Sequence, residues 1–259
     1  MAAAELKFLV AGYGMPAEFT VNTLFGLGVL PGRIAILTHP PDARNHGLHA
    51  LAALRRVSLY EEPAKAPASI AWVKAFRPDV LLSMHYRCLI PKAMLDLAPL
   101  GGVNLHPSLL PNYRGTNSVA WVLINGETET GFTFHRMDEE FDTGPILLQE
   151  KLAISPNDTA FSLFHRQIVR AMARLEAVIE RVVADDPGSV QPPGGSYFPR
   201  ALPFGGMIDA SWPIDKIERF IRAMYFPPFP PARMMKDGKA HDVARLEDYE
   251  ALFSRMLTN

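Results

Sequence analysis

Residues 101–111 read GGVNLHPSLLP. Two glycines open the segment, Val103 and Leu105 are apolar, and Pro107 and Pro111 punctuate its end. Residues 101–106 therefore read as a short strand that stops in a proline-fixed turn. The residue before a proline is pushed to extended geometry, which keeps the His106 ring outside any helix. Working outward, DVLLSMHY (79–86) is another strand and KAMLDLA (92–98) a short helix. NSVAWVLINGE (117–127) reads as a helix stopping near Gly126. Further upstream lie the strand LKFLVAG (6–12), a helix to about Leu27, the strand RIAILTH (33–39), a short strand VSLY (57–60) and the helical pattern SIAWVKAF (69–76). Downstream, TGFTFHRM (130–137) and PILLQEKLAI (145–154) read as strands. Residues 157–183 read as one long amphipathic helix capped by Asn157 or Asp158. Strands alternating with helices predict an α/β, Rossmann-like, doubly wound and mainly parallel sheet. Functional groups of such sheets gather beyond the carboxyl ends of the strands, where Asn104 and His106 fall.

A composition shift divides the chain. DDPGSVQPPGGSYFPRALPFGG (185–206) is rich in proline and glycine and reads as linker and turns. The predicted domains are residues 1–185 and a small α+β region, 186–259. That region holds a helix at PIDKIERFIRAM (213–224) and a hairpin around Asp237-Gly238 in MMKDGKAHDV (234–243).

Composition limits what the chain can do. Its 259 residues are nearly half hydrophobic, enough for a substantial core, and the net charge of −1 disfavours a nucleic-acid partner. Cys88 is the one cysteine, so no internal disulfide forms and a cytoplasmic setting is expected. No apolar run is long enough to span a bilayer, and the N-terminus lacks a signal-peptide pattern. The eight histidines show no metal-ligand spacing, so no metal is expected. Gly12-Tyr13-Gly14 follows the first strand, but His39 and Pro40 stand where a dinucleotide site needs an acidic residue after the second. Nicotinamide binding is excluded on that ground.

The chemistry concentrates between Asn104 and Asp142. An amide, an imidazole and a carboxylate supply an oxyanion donor, a proton carrier and a group that sets its charge. Each residue has a plainer reading. Asn104 could bond a loop, His106 could be a satisfied surface histidine, and Asp142 stands in Asp-Thr-Gly-Pro, a good turn.

The run Asn104-x-His106-Pro107-Ser108-Leu109-Leu110-Pro111, followed by Asp142, Gly144, Pro145 and Ile146, resembles the folate-dependent formyltransferases. The likeness covers roughly the first 185 residues and, more weakly, extends to about residue 232. It implies formyl transfer from 10-formyltetrahydrofolate to an amine, with Asn104, His106 and Asp142 catalytic. It also implies folate contacts around Cys88, Ile90, Glu139, Glu140 and Asp142. Side chains in both stretches need only shape the wall, and a solvated turn is the plain reading of Asp138, Glu139 and Glu140. His135 matches a second histidine of some members and reads equally as a strand residue facing one side.

The acceptor separates the branches of that family. AGYGMPAEF lacks the Ser-Asn pair of the glycinamide ribonucleotide enzymes. Too few residues follow Ala232 for the barrel of the methionyl-tRNA enzymes. The tail PFGGMIDASWPIDKIERFIRAMYFPPFPPA fits the branch that formylates nucleotide-linked 4-amino-4,6-dideoxy sugars, with GDP-perosamine the subclass suggested and O-antigen assembly the purpose. Tyr113, Arg114, Tyr225 and Phe226 are the candidate substrate contacts beside His135. Solvation of the arginine and packing of the aromatics are their plain alternatives. Members of this branch are often homodimers. A degenerate member that binds folate or a nucleotide without turnover is the remaining alternative.

Overall fold

The computed structural model describes residues 2–254. In chain order the elements are β1 Phe8–Gly12, α1 Gly14–Gly26, β2 Ile34–Leu37, α2 His46–Arg55, β3 Ser58–Tyr60, α3 Pro67–Phe76, β4 Val80–Met84, α4 Lys92–Leu95, β5 Gly102–His106 and β6 Arg114–Gly115. They continue with α5 Ser118–Ile124, β7 Glu129–Arg136, β8 Ile146–Ala153, α6 Ala160–Met172, α7 Leu175–Val183, β9 Tyr197–Phe198, α8 Ile214–Met224, β10 Ala232–Lys236, β11 Lys239–Val243 and α9 Leu246–Ser254. Short 3-10 turns precede β1 and β2 and follow β9.

Seven strands form one sheet in the order β3-β2-β1-β4-β5-β7-β8. The first five pair in parallel, and β7 runs antiparallel to β5. This is the α/β, mainly parallel architecture the alternation of elements predicted. Every residue of β1, β2 and β4 is buried, because helices cover both faces of a doubly wound sheet. That is why these strands read as apolar runs, broken only by Ser83 in β4. On one face Leu9, Ala11, Ala35, Leu37 and Leu81 pack with Val73 and Met94, beside the stacked pair Tyr60 and Trp72.

The chain packs as two compact units that interleave in sequence. One comprises residues 1–106, 132–149 and 168–193; the other comprises 107–131, 150–167 and 194–259. In the second, α5 packs against α8. Trp121 stacks on Phe198 and meets Phe204 edge-on, and Phe204, Trp212 and Phe220 continue the aromatic cluster. The expected hairpin is β10–β11. Asp237 and Gly238 both take positive φ, 49° and 73°, as a two-residue turn matched to strand twist requires.

Two local readings change. The stretch 157–183 is two helices, α6 and α7, parted at Ala173 and Arg174, where the Arg174 N–H bonds back only three residues to Ala171. The apolar stripe runs on through Leu175, Val178, Ile179 and Val182, so periodicity could not reveal the break. The cap of α6 is Thr159, not Asn157 or Asp158. Its Oγ1 accepts the Ser162 N–H at 3.2 Å while Ser162 Oγ accepts the Thr159 N–H at 3.0 Å. Asp158 instead takes the Ser155 N–H and an ion pair from Arg166. Helices α2 and α9 had no counterpart in the sequence reading.

Candidate active site

The site is built on the last turn of the pleat in β5. Residues two apart on a strand share a face, so Asn104 and His106 project the same way. Antiparallel pairing puts His135 of β7 directly opposite Asn104, and Thr133 opposite His106. Four polar side chains thus share one face of the β5–β7 pair.

Asp142 enters from the loop between β7 and β8, and several bonds hold it there. Arg136 N–H donates to Pro145 C=O at 2.7 Å, and Met137 N–H to Gly102 C=O at 2.8 Å. The Asp138 carboxylate accepts the Glu140 N–H and the Thr143 hydroxyl, which closes the turn. Gln191 Nε2 donates to the carbonyls of Asp142 and Gly144, both at 2.8 Å. Arg136 is itself fixed by bonds to the carbonyls of Leu100 and Asp186. A side chain at Gly144 would overlap the Arg136 carbonyl, so only glycine lets the loop lie this close to β7. Asp142 has φ +58°, a conformation aspartate accepts more readily than most residues.

The four groups converge. Asp142 Oδ2 lies 3.4 Å from His106 Nδ1, and Oδ1 lies 3.4 Å from His135 Nε2. Asn104 Nδ2 is 3.1 Å from His135 Nε2 and 3.3 Å from Asp142 Oδ1. His106, His135 and Asp142 are all buried. His135 Nδ1 faces the Arg136 carbonyl at 2.7 Å, which only accepts, so Nδ1 carries a proton. In the neutral ring Nε2 then accepts from the Asn104 amide, which orients that amide.

This arrangement can do acid–base work. A carboxylate facing His106 Nδ1 favours the tautomer with its proton there, leaving Nε2 basic, and stabilises the imidazolium once a proton is taken. The Asn104 amide is a preorganised donor, with its N–H groups aimed at the same cluster. Among the described residues, no group of three or more His, Cys, Asp or Glu is arranged to hold a metal ion. No helix among them is long and apolar enough to cross a membrane.

The other expected site residues are placed as follows. Cys88 is exposed, while Ile90 is buried in the core beside β4. Glu139 and Glu140 point to solvent, and Glu139 lies 3.7 Å from Lys92 Nζ. In the second unit, Tyr113 stacks on Phe198 and donates its hydroxyl to Glu127, and burial pushes its phenol up to about 12. Arg114 pairs with Tyr197 between β6 and β9. Phe226 packs edge-on against Phe161 and Phe164, and Tyr225 lines a cavity with Glu218, Arg222 and Arg245. The sequence reading missed Gln191 and Arg136, which position the Asp142 loop. No spacing signal exists for either.

A family model described as formyl transferase matches residues 44–179, more than half of the chain. The GDP-perosamine N-formyltransferase of Brucella melitensis is 56% identical over 250 residues, covering 96% of this chain and 96% of that protein. A sugar N-formyltransferase from Shewanella sp FDAARGOS_354 shares the fold with a TM-score of 0.75 at 18% identity, over 92% of this chain and 96% of that one. The N-formyltransferase of Helicobacter canadensis, solved with folinic acid and dTDP-3-aminofucose, superposes with a TM-score of 0.70 at 20% identity, over 92% and 86% of the two chains. The chain belongs to the formyl transferase family.

Proposed function

We propose that this protein moves the formyl group of 10-formyltetrahydrofolate to the amine of a nucleotide-linked 4-amino-4,6-dideoxy sugar, with GDP-perosamine as the acceptor. The carrying observation is the 56% identity to the Brucella melitensis enzyme along almost the whole of both chains. That extent of likeness favours this acceptor over glycinamide ribonucleotide or methionyl-tRNA.

Folate brings the reactive carbon, and the protein positions it against the amine. The amine attacks the formyl carbon and a tetrahedral oxyanion forms. Asn104 turns one of its N–H groups from Asp142 to that oxygen. His106 Nε2 takes the proton that the amine nitrogen carries once it has bonded to the formyl carbon, and Asp142 stabilises the resulting imidazolium. The folate nitrogen then leaves with a proton as the formamide is released. The single unpaired cysteine is compatible with a cytoplasmic setting, which we also propose.

The test is an assay with 10-formyltetrahydrofolate and a panel of acceptors: GDP- and dTDP-linked 4-amino sugars, glycinamide ribonucleotide and methionyl-tRNA. Turnover of GDP-perosamine is expected. Turnover of only the ribonucleotide or the tRNA refutes the acceptor and keeps the chemistry.

A further inference from the structure

Leu163, Gln167 and Ala171 recur every four residues along α6, and all three are fully buried. Gln167 thus sits in the middle of an apolar stripe, where leucine or methionine is the ordinary occupant. Its Oε1 is buried with no hydrogen-bond partner among the described residues. An unpaired buried acceptor costs stability, so the amide nitrogen has to offset it.

The nitrogen does so twice. Nε2 donates to the Pro107 carbonyl at 3.0 Å and to the Gly131 carbonyl at 2.6 Å. Both partners only accept, which fixes the end of the amide that carries the nitrogen. Ser118 Oγ donates to the same Pro107 carbonyl at 3.3 Å. The buried Ser108 hydroxyl donates to the Asn112 carbonyl at 2.7 Å and closes the turn that follows. A side chain at position 131 would overlap the Glu150 carbonyl and Leu109, so β8 and this turn both press on Gly131.

All of these bonds gather where β5 ends. His106 is the last residue of that strand and pairs with Thr133 of β7. Carried on, the same register would set Pro107 against Phe132 and Ser108 against Gly131. Proline has no N–H, so the ladder cannot run on through Pro107. The Gln167 amide takes over at that point, with one N–H on the turn and one on β7. Strand ends open readily when nothing ties them. Opening here would carry away the His106 imidazole, whose Nδ1 lies 3.4 Å from Asp142 Oδ2. A misplacement of about 1 Å at a reacting group can cost roughly 10²-fold in rate.

We infer that Gln167 is a positioning residue for the formyl transfer: by clipping the Pro107 turn to β7, it holds the His106 imidazole against Asp142. It acts through His106 and not on the substrate. This assignment rests on the role proposed above for His106.

The experiment compares wild type with Gln167→Met and Gln167→Leu, which keep an apolar stripe and lose the donor. The control is Leu163→Ala, which opens a cavity one turn away on the same stripe. Urea unfolding gives the stability of each protein, and nitrogen NMR of the ligand-free proteins follows the His106 ring. Steady-state kinetics with 10-formyltetrahydrofolate and GDP-perosamine gives kcat and KM. In the Gln167 variants kcat should fall about 10- to 100-fold, both KM values should stay within about twofold of wild type, and the His106 ring signals should move. Leu163→Ala should lose at least as much stability, with the ring signals in place and kcat within about twofold of wild type. Gln167 variants that keep both the rate and the ring signals of wild type overturn the assignment. So does a Leu163→Ala protein whose ring and rate change as much as theirs, since general loosening of the core then accounts for both. A ring that moves in the Gln167 variants while kcat holds refutes the proton role of His106 and keeps the clip. A wild type that formylates no GDP-perosamine refutes the acceptor, and the ring signals of the ligand-free proteins still decide the clip.

Discussion

Asn104 faces His135 across the antiparallel β5–β7 pair, with Nδ2 and Nε2 3.1 Å apart, although 31 residues separate them in sequence. The imidazole is anchored on its far side by the Arg136 carbonyl. One face of a sheet pair therefore fixes the direction in which the Asn104 amide donates, before any substrate arrives.

Asn104→Ala should lower kcat about 10²–10³-fold, the usual cost of removing one oxyanion donor, with folate binding retained. Single-turnover kinetics with a parallel folate titration decides this. An unchanged rate with ligand still bound refutes the oxyanion role.

His135→Phe should lower kcat by roughly tenfold, about 1.4 kcal/mol of barrier, by leaving the Asn104 amide unoriented. The same change in the Asn104→Ala background should cost almost nothing, because the two act as a unit. Additive losses in that double-mutant cycle exclude the coupling.

Asp142→Asn removes the charge beside His106 while tolerating the +58° backbone. We expect kcat to fall by about 10²–10⁴-fold, the range for acid–base catalysis, and the pH–rate profile to change form. A profile that keeps its form at a merely lower rate assigns the proton elsewhere.

Gly144→Ala drives a methyl group into the Arg136 carbonyl. Overpacking of this kind costs about 1–3 kcal/mol. The urea midpoint should drop, and activity should fall further than stability because Asp142 moves with the loop. Wild-type stability and rate in the variant contradict the tight fit of this loop on β7.

Burial, with the charges of Arg44 and Arg87 behind it, lowers His85 from 6.5 to about 4. Between those values the unfolded chain binds the proton and the folded protein does not. The His85 contribution is thus intact above pH 6.5, declines as pH falls towards 4, and levels below that. His85→Asn, which accepts the φ of 62°, should abolish this part of the acid loss. Urea midpoints of both proteins from pH 7 to 4 measure it, and a constant difference between them rules out the depressed value. Arg87→Ala should raise the His85 titration midpoint seen by NMR.

Local sequence was enough for the sheet strands and for the two candidate site residues nearest one another in the chain. β1 and β2 announce themselves because burial on both faces leaves only apolar residues, and β4 departs from that pattern only at Ser83. Asn104 and His106 are two apart on a strand, so a shared face follows from the pleat alone. Asp237-Gly238 forces its hairpin because few other pairs accept positive φ twice. Tertiary structure decided the rest. Which residue of β7 stands opposite Asn104 depends on the register between β5 and β7, set by packing and not by local pattern. The convergence of Arg44 and Arg87 on Tyr13 needs three parallel strands to lie side by side, and their order is fixed only when the whole sheet assembles. Periodicity reports which face of an element is buried; it carries no information about what that face meets.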